Sequence, residues 1–258
     1  MFISLKLLSN FFTDYKRRAR SRRVARSPFY LRHPYSGPVS LASLDSRVAI
    51  DFDLGFLYNR VLKAANTTII ATLASWRGEV GGHPKALFRR PSELNPHEVQ
   101  MTPALFKFTF VRNPYTRTLS AYLDKISRGK RKPLELAKKS GRTPSFEDFC
   151  IFLERGGLYD NLHWAPQASA LLLPLEDFDF IGHTESLGSG LDSVRKRIRI
   201  ETGTSGTVDR RLHSTNANAL IREHYTSRCQ RIIRTLYQED FTQFGYSFSL
   251  PAVESVRN

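Results

Sequence analysis

The chain has 258 residues, 41% of them hydrophobic, enough for one sizeable core, so a single α/β domain is expected. Its net charge of +15 points to anionic partners: nucleic acid, anionic lipid, a phosphorylated donor or an acidic polysaccharide. Only two cysteines occur, Cys150 and Cys229, far apart in sequence; this excludes a disulfide framework or zinc motif, and with seven scattered histidines no metal is expected.

Residues 1–26 carry eight Lys/Arg against one acid, about half of the excess charge. The apolar residues Phe2, Ile3, Leu5, Leu7, Leu8, Phe11 and Phe12 form a run too short to span a bilayer. The charges follow this run, the reverse of a secretory signal. The expectation is a basic tail, disordered or an amphipathic helix in peripheral contact with an anionic membrane, ahead of one domain over 27–250.

Pro28, Pro34 and Pro38 mark an irregular lead-in. Val48 to Phe52 reads as a short strand, and Phe56-Leu57-Tyr58 as the first strand of the sheet. Next come Lys63, Ala64, Ala65, Asn66, Thr67 and Thr68, then Ile69, Ile70, Leu73 and Trp76 at helical spacing. A lysine on a small-residue loop before a helix suits a phosphate, because the backbone can approach closely and helix amides point at the anion. A solvated lysine is the ordinary alternative. The loop is not a Walker A motif, since Gly-Lys-Thr is missing. Residues 77–104, rich in Gly and Pro, read as a long surface excursion.

The most informative stretch is Phe106 to Lys125. Phe106–Val111 alternates aromatic and polar residues and reads as a strand. Arg112-Asn113-Pro114 ends it, with Asn113 as N-cap and Pro114 as first helical residue. Leu119, Tyr122, Leu123 and Ile126 then recur at helical spacing, and Ser120 shares a face with Thr116. A strand, a tight turn bearing arginine and a helix suit a phosphate, although a βα connection with a surface arginine has the same pattern.

Ser127 to Pro144 is basic and reads as a solvated loop or a patch for an acidic glycan. Phe146 to Leu153 reads as a helix capped by Ser145. His163-Trp164-Ala165-Pro166-Gln167 precedes an expected apolar strand, Ala168 to Leu173. Asp179 to Leu187 reads as a strand and loop, Leu191 to Ile200 as a basic helix, Thr202 to Thr207 as a loop. Arg210 and Arg211 follow as low-specificity contacts for a phosphorylated donor, and His213 to Asn216 as a cap over its site. Tyr225 to Tyr237 reads as the last amphipathic helix, and Asp240 to Tyr246 closes the domain.

Arg112-Asn113-Pro114, Arg117 and Ser120-Ala121-Tyr122 resemble the 3′-phosphate-binding segment of the carbohydrate sulfotransferases of the chondroitin/HNK-1 type. Lys63, Asn66, Thr67 and Thr68 resemble that family's 5′-phosphosulfate loop, with Leu62 at the usual proline and no glycine. His163-Trp164-x-Pro166-Gln167 and Asp179-Phe180-Ile181-Gly182 resemble further family segments, so the resemblance covers residues 48–248.

The resemblance implies a P-loop-like three-layer α/β fold with a central, mainly parallel sheet flanked by helices. It also implies a sulfotransferase using 3′-phosphoadenosine 5′-phosphosulfate (PAPS). Lys63 to Thr68 would hold the 5′ end, and Arg112 and Ser120 the 3′-phosphate. The acceptor would be a hydroxyl of a polysaccharide, oligosaccharide or glycolipid. Sulfuryl transfer needs positioning and positive charge rather than covalent help. Lys63 suits the leaving group. His163 is the expected base, because imidazole titrates near working pH; His183, His213 and Glu185 compete. A histidine beside a tryptophan is more often a packed polar residue than a catalyst, and that is the alternative for His163.

The alternatives are a kinase-like P-loop enzyme and a basic nucleic-acid-binding protein, although no specific nucleic acid is expected. Animal members of the family resident in the Golgi lumen commonly have a cysteine after the His-Trp segment, where this chain has Ala168-Ser169-Ala170. That difference and the low cysteine count point to a reducing compartment. The expectation is the cytoplasm, peripheral to a membrane if the tail lies on one.

Overall fold

The computed structural model describes residues 18–79, 86–128, 143–199 and 216–252. Several expectations fall outside it: the apolar N-terminal run, most of the basic stretch after Ser127, the loop Thr202–Thr207, and Arg210, Arg211 and His213.

Residues 18–25 are helical (α1), followed by α2 (Pro28–Arg32) and α3 (Leu41–Asp45). Part of the basic N-terminal stretch therefore packs on the body. Val24 is buried with Phe29, Tyr30 and Leu44, while Arg18, Arg22 and Arg23 stay exposed.

The four-stranded sheet runs in the order β1 (Val48–Asp51), β2 (Phe56–Asn59), β3 (Phe106–Val111), β4 (Phe180–His183). β1 and β2 form an antiparallel hairpin, with Ile50 opposite Leu57. β2, β3 and β4 are parallel, with Tyr58 beside Phe108 and Phe110 beside Gly182.

Every residue of β2 and the last four of β3 are buried, as expected of parallel strands covered on both faces. Of the polar members of the alternation, Thr109 is therefore inside, while Lys107 is half-buried. Thr109 Oγ1 donates to the Asn59 carbonyl at 2.8 Å. The Asn59 side chain donates to the Ala170 carbonyl at 3.0 Å and accepts from the Leu172 amide at 2.8 Å.

α4 (Asn66–Trp76) and α8 (Leu187–Arg195) cover one face. Ile69, Ile70, Leu73, Leu191 and Val194 pack there against Phe56, Tyr58, Phe108 and Phe110. Phe110 lies so close to Gly182 and Gly190 that a Cβ at either would come within 2.4 and 2.7 Å of its ring. The glycine of the Asp-Phe-Ile-Gly segment is thus a packing requirement.

The opposite face of β1 and β2 packs on α2, α3 and α5 (Pro96–Met101). A further core joins α6 (Pro114–Ala121), α7 (Phe146–Glu154), α9 (Ile221–His224), α10 (Ser227–Leu236) and α11 (Gln238–Gln243). In that core lie Cys150 and Cys229, remote in sequence and both buried. Among the described residues no helix is long and apolar enough to cross a membrane.

Four expectations need correction. Residues 77–104 are not a plain surface excursion in their described part. Arg89 bridges to Ile50, α5 forms with Asn95 as its cap, and Phe88, Leu94 and Val99 are buried. Ala168 to Leu173 is not a strand. Residues Ala168–Ala170 form a 3-10 turn, and the three leucines fill gaps beside the sheet. The helix expected from Leu191 begins at Leu187 and ends at Arg195. Ser227–Leu236 is not the last helix, since α11 follows it.

Candidate active site

Two βα turns leave adjacent parallel strands on the same edge of the sheet. The first runs from Arg60 to Ala65, between β2 and α4. Val61, Leu62 and Ala64 are buried and pin it from below, while Lys63 and Ala65 alternate with them. Lys63 (φ +69°) and Ala65 (φ +51°) are left-handed without being glycine, a conformation that needs support from its surroundings. Ala65 caps α4 with no side-chain acceptor for the first-turn amides. Those amides, of the half-buried Asn66, Thr67 and Thr68, form an anion-binding feature. The Asn66 side chain accepts from Arg60 at 3.2 Å.

The second turn, Arg112-Asn113, joins β3 to α6. Asn113 caps the helix by accepting from the Tyr115 amide at 3.0 Å, with Pro114 behind it, as the sequence predicts. Arg112 turns towards the first loop. Its Nη1 donates to the Lys63 carbonyl at 3.3 Å, Nε to Thr116 Oγ1 at 3.0 Å and Nη2 to Asn218 Oδ1 at 2.8 Å. Ser120 lies one turn beyond Thr116, and it is buried.

The Lys63 ammonium binds Asp124 at 3.0 Å with only 15% of its side chain exposed. Burial lowers its pKa, and the Asp124 carboxylate opposes that shift. Asp124 lies in the π-helical turn Tyr122–Ser127 that continues α6. The regular helical spacing expected through Ile126 therefore widens after Ala121.

His163 is half-buried, and its Nδ1 lies 2.7 Å from Asn161 Oδ1. An amide oxygen there takes an Nδ1–H, so Nε2 is the basic nitrogen of the neutral ring. Arg117 brings this segment to the first loop. Fully buried, it donates to the carbonyls of Leu62 (2.9 Å), Leu162 (3.1 Å) and Ala165 (2.8 Å). Lys63 and His163 thus each follow a residue bound to the same guanidinium. Burial lowers the Arg117 pKa, and Asp240 offsets part of that effect.

The groups that grip the second turn include Gln167 and Asp240, to which the sequence pointed no role, and Glu185, expected only as a competing base. Gln167 accepts from the Arg112 amide at 2.9 Å and donates to its carbonyl at 2.8 Å. Gln167 and Ala168 in turn donate their amides to the buried Asp240 at 2.8 and 2.9 Å. Glu185 accepts from the Asn113 amide at 2.8 Å and from Tyr246 at 3.0 Å, which engages this competing base as a brace. The available signal was position, since Gln167, Glu185, Asp240 and Tyr246 all lie in the segments noted above. His183 packs against the Tyr246 ring instead.

The chain matches the profile of the sulfotransferase family over residues 46–247. It belongs to that family. It is 27% identical over 187 residues to carbohydrate sulfotransferase 14 of Danio rerio, covering 65% of this chain and 51% of the relative. The match thus spans about half the length of that protein. No solved structure matches the chain.

Proposed function

We propose that the protein is a PAPS-dependent sulfotransferase acting on a carbohydrate hydroxyl. The observation that carries this reading is the hydrogen bond from Arg112 to the Lys63 carbonyl. It joins the two turns whose motifs would grip opposite ends of one bisphosphorylated nucleotide. Family membership and the carbohydrate sulfotransferase relative support the same reaction class.

Arg112 and Ser120 bind the 3′-phosphate and set the register of the donor. Lys63 and the first-turn amides of Asn66, Thr67 and Thr68 face the 5′-phosphosulfate, with Ala64 and Ala65 allowing close approach. The acceptor oxygen attacks sulfur as the bond from sulfur to the 5′-phosphate oxygen breaks. Lys63 and the helix amides stabilise the charge that collects on that oxygen. The hydroxyl proton passes to His163 Nε2, and 3′-phosphoadenosine 5′-phosphate (PAP) departs.

The test of donor class is calorimetry. PAP is expected to bind and raise the melting temperature, and ATP with magnesium to do neither. The reverse result would assign a kinase-like enzyme. For the base, His163→Ala is expected to lower turnover by about 10²–10⁴, measured as sulfate transfer to a panel of polysaccharides, oligosaccharides and glycolipids. A loss below about tenfold would remove His163 from that role.

A further inference from the structure

The predicted phosphate-binding stretch ends in Asp124-Lys125, two residues with no assigned role. Lys125 Nζ lies 2.9 Å from Asp124 Oδ2, the same oxygen that takes Lys63 at 3.0 Å. All three side chains are at most 17% exposed. One carboxylate thus holds two ammonium groups beside the first turn. Burial opposes the charged carboxylate, but the hydrogen bonds from Lys125 and Lys63 outweigh it and hold the Asp124 carboxyl well below its usual range.

The backbone explains how two consecutive residues face the same place. In a regular α-helix, adjacent residues point about 100° apart. The π turn Tyr122–Ser127 departs from that spacing, and within it the Lys125 ammonium meets the Asp124 carboxylate. The turn contains neither proline nor glycine. Wide turns of this kind recur at functional sites. Arg112 binds the helix that leads into this turn through Thr116.

The charge balance shows why this matters. Asp124 offsets the charge of Lys63, and Lys125 adds a further positive charge beside them.

We infer that Lys125 is a second cation at the 5′ end of the donor site, contacting a phosphate or sulfonate oxygen beside Lys63, and that Asp124 is the positioning residue for both ammonium groups. This inference rests on the donor assignment proposed above.

The test uses the full chain and two ligands, PAP and adenosine 3′-monophosphate, which lacks the 5′-phosphate. Lys125→Ala is expected to weaken PAP about tenfold or more, the scale of one charged hydrogen bond. Adenosine 3′-monophosphate should stay within about twofold, and Lys125→Arg should recover most of the PAP affinity. Asp124→Asn should move the alkaline loss of PAP binding to lower pH. Lys63 then lacks the carboxylate that opposes the effect of burial, and its charged neighbours are Lys125 and Arg112. PAP affinity unchanged in Lys125→Ala, or both ligands weakened equally, would overturn the inference. Wild-type protein that binds no PAP would overturn the donor assignment and this inference with it.

Discussion

The turn after β3 closes in two residues and carries its own chemistry, whereas the turn after β2 takes six residues and is shaped by distant groups. In the first, Asn113 and Pro114 supply the cap and the first helical residue, and Gln167 and Glu185 only lock a geometry already favoured locally. In the second, two non-glycine residues sit in left-handed conformations and no side chain caps the helix. Its restraints include three buried aliphatic side chains, Arg117 on the Leu62 carbonyl, Arg112 on the Lys63 carbonyl and the Lys63–Asp124 pair. A turn that encodes itself tolerates change around it. A turn imposed from outside fails when its brace is removed, and in exchange keeps its helix amides open for a ligand.

Removal of that brace should have the largest effect. Arg117→Met leaves three buried carbonyls without their donor, and urea unfolding should show a loss of about 3 kcal/mol or more. Arg117→Lys should recover only part of it, since one ammonium cannot reproduce the planar fork. A loss under about 1 kcal/mol would mean that the first loop holds itself.

The self-encoded turn should respond more mildly. Asn113→Ala removes one cap and should cost about 1 kcal/mol in the same assay. A loss as large as that of Arg117→Met would erase the contrast between the turns.

The smallest effect is expected at Ala65. Ala65→Gly relieves a left-handed residue worth about 1–2 kcal/mol but adds freedom to the unfolded chain. Stability should be unchanged or rise by about 0.5 kcal/mol. A clear fall in melting temperature would show that the conformation is not strained.

The same contrast explains what could be read in advance. β3, the Asn113 cap and α6 were legible because strand-forming residues, cap chemistry and helical spacing are local signals. The Ser145 cap of α7 was legible for the same reason. Lys63 was found by its pattern, but the path of its loop was not, because no glycine announces the positive φ angles. Arg117 reads as one more charge on a helix, and only the fold reveals three carbonyls converging on it. The apolar run Leu171 to Leu173 resembles a buried strand, yet the position beside β2 is taken by β1 and β3, so it packs without pairing. Tyr122 and Ile126 are four apart in sequence whether the turn is α or π, so the sequence hid the π turn and the pairing of Asp124 with Lys63.

The central claim is that both turns hold one bisphosphorylated nucleotide. Calorimetry of wild type, Arg112→Ala and Lys63→Ala with PAP and with adenosine 5′-monophosphate tests it most directly. Both variants should bind PAP about tenfold or more weakly. Only Lys63→Ala should also weaken the monophosphate, because Arg112 has no 3′-phosphate to meet there. If Arg112→Ala weakened the two ligands equally, or neither variant altered PAP binding, the shared-nucleotide account would be contradicted.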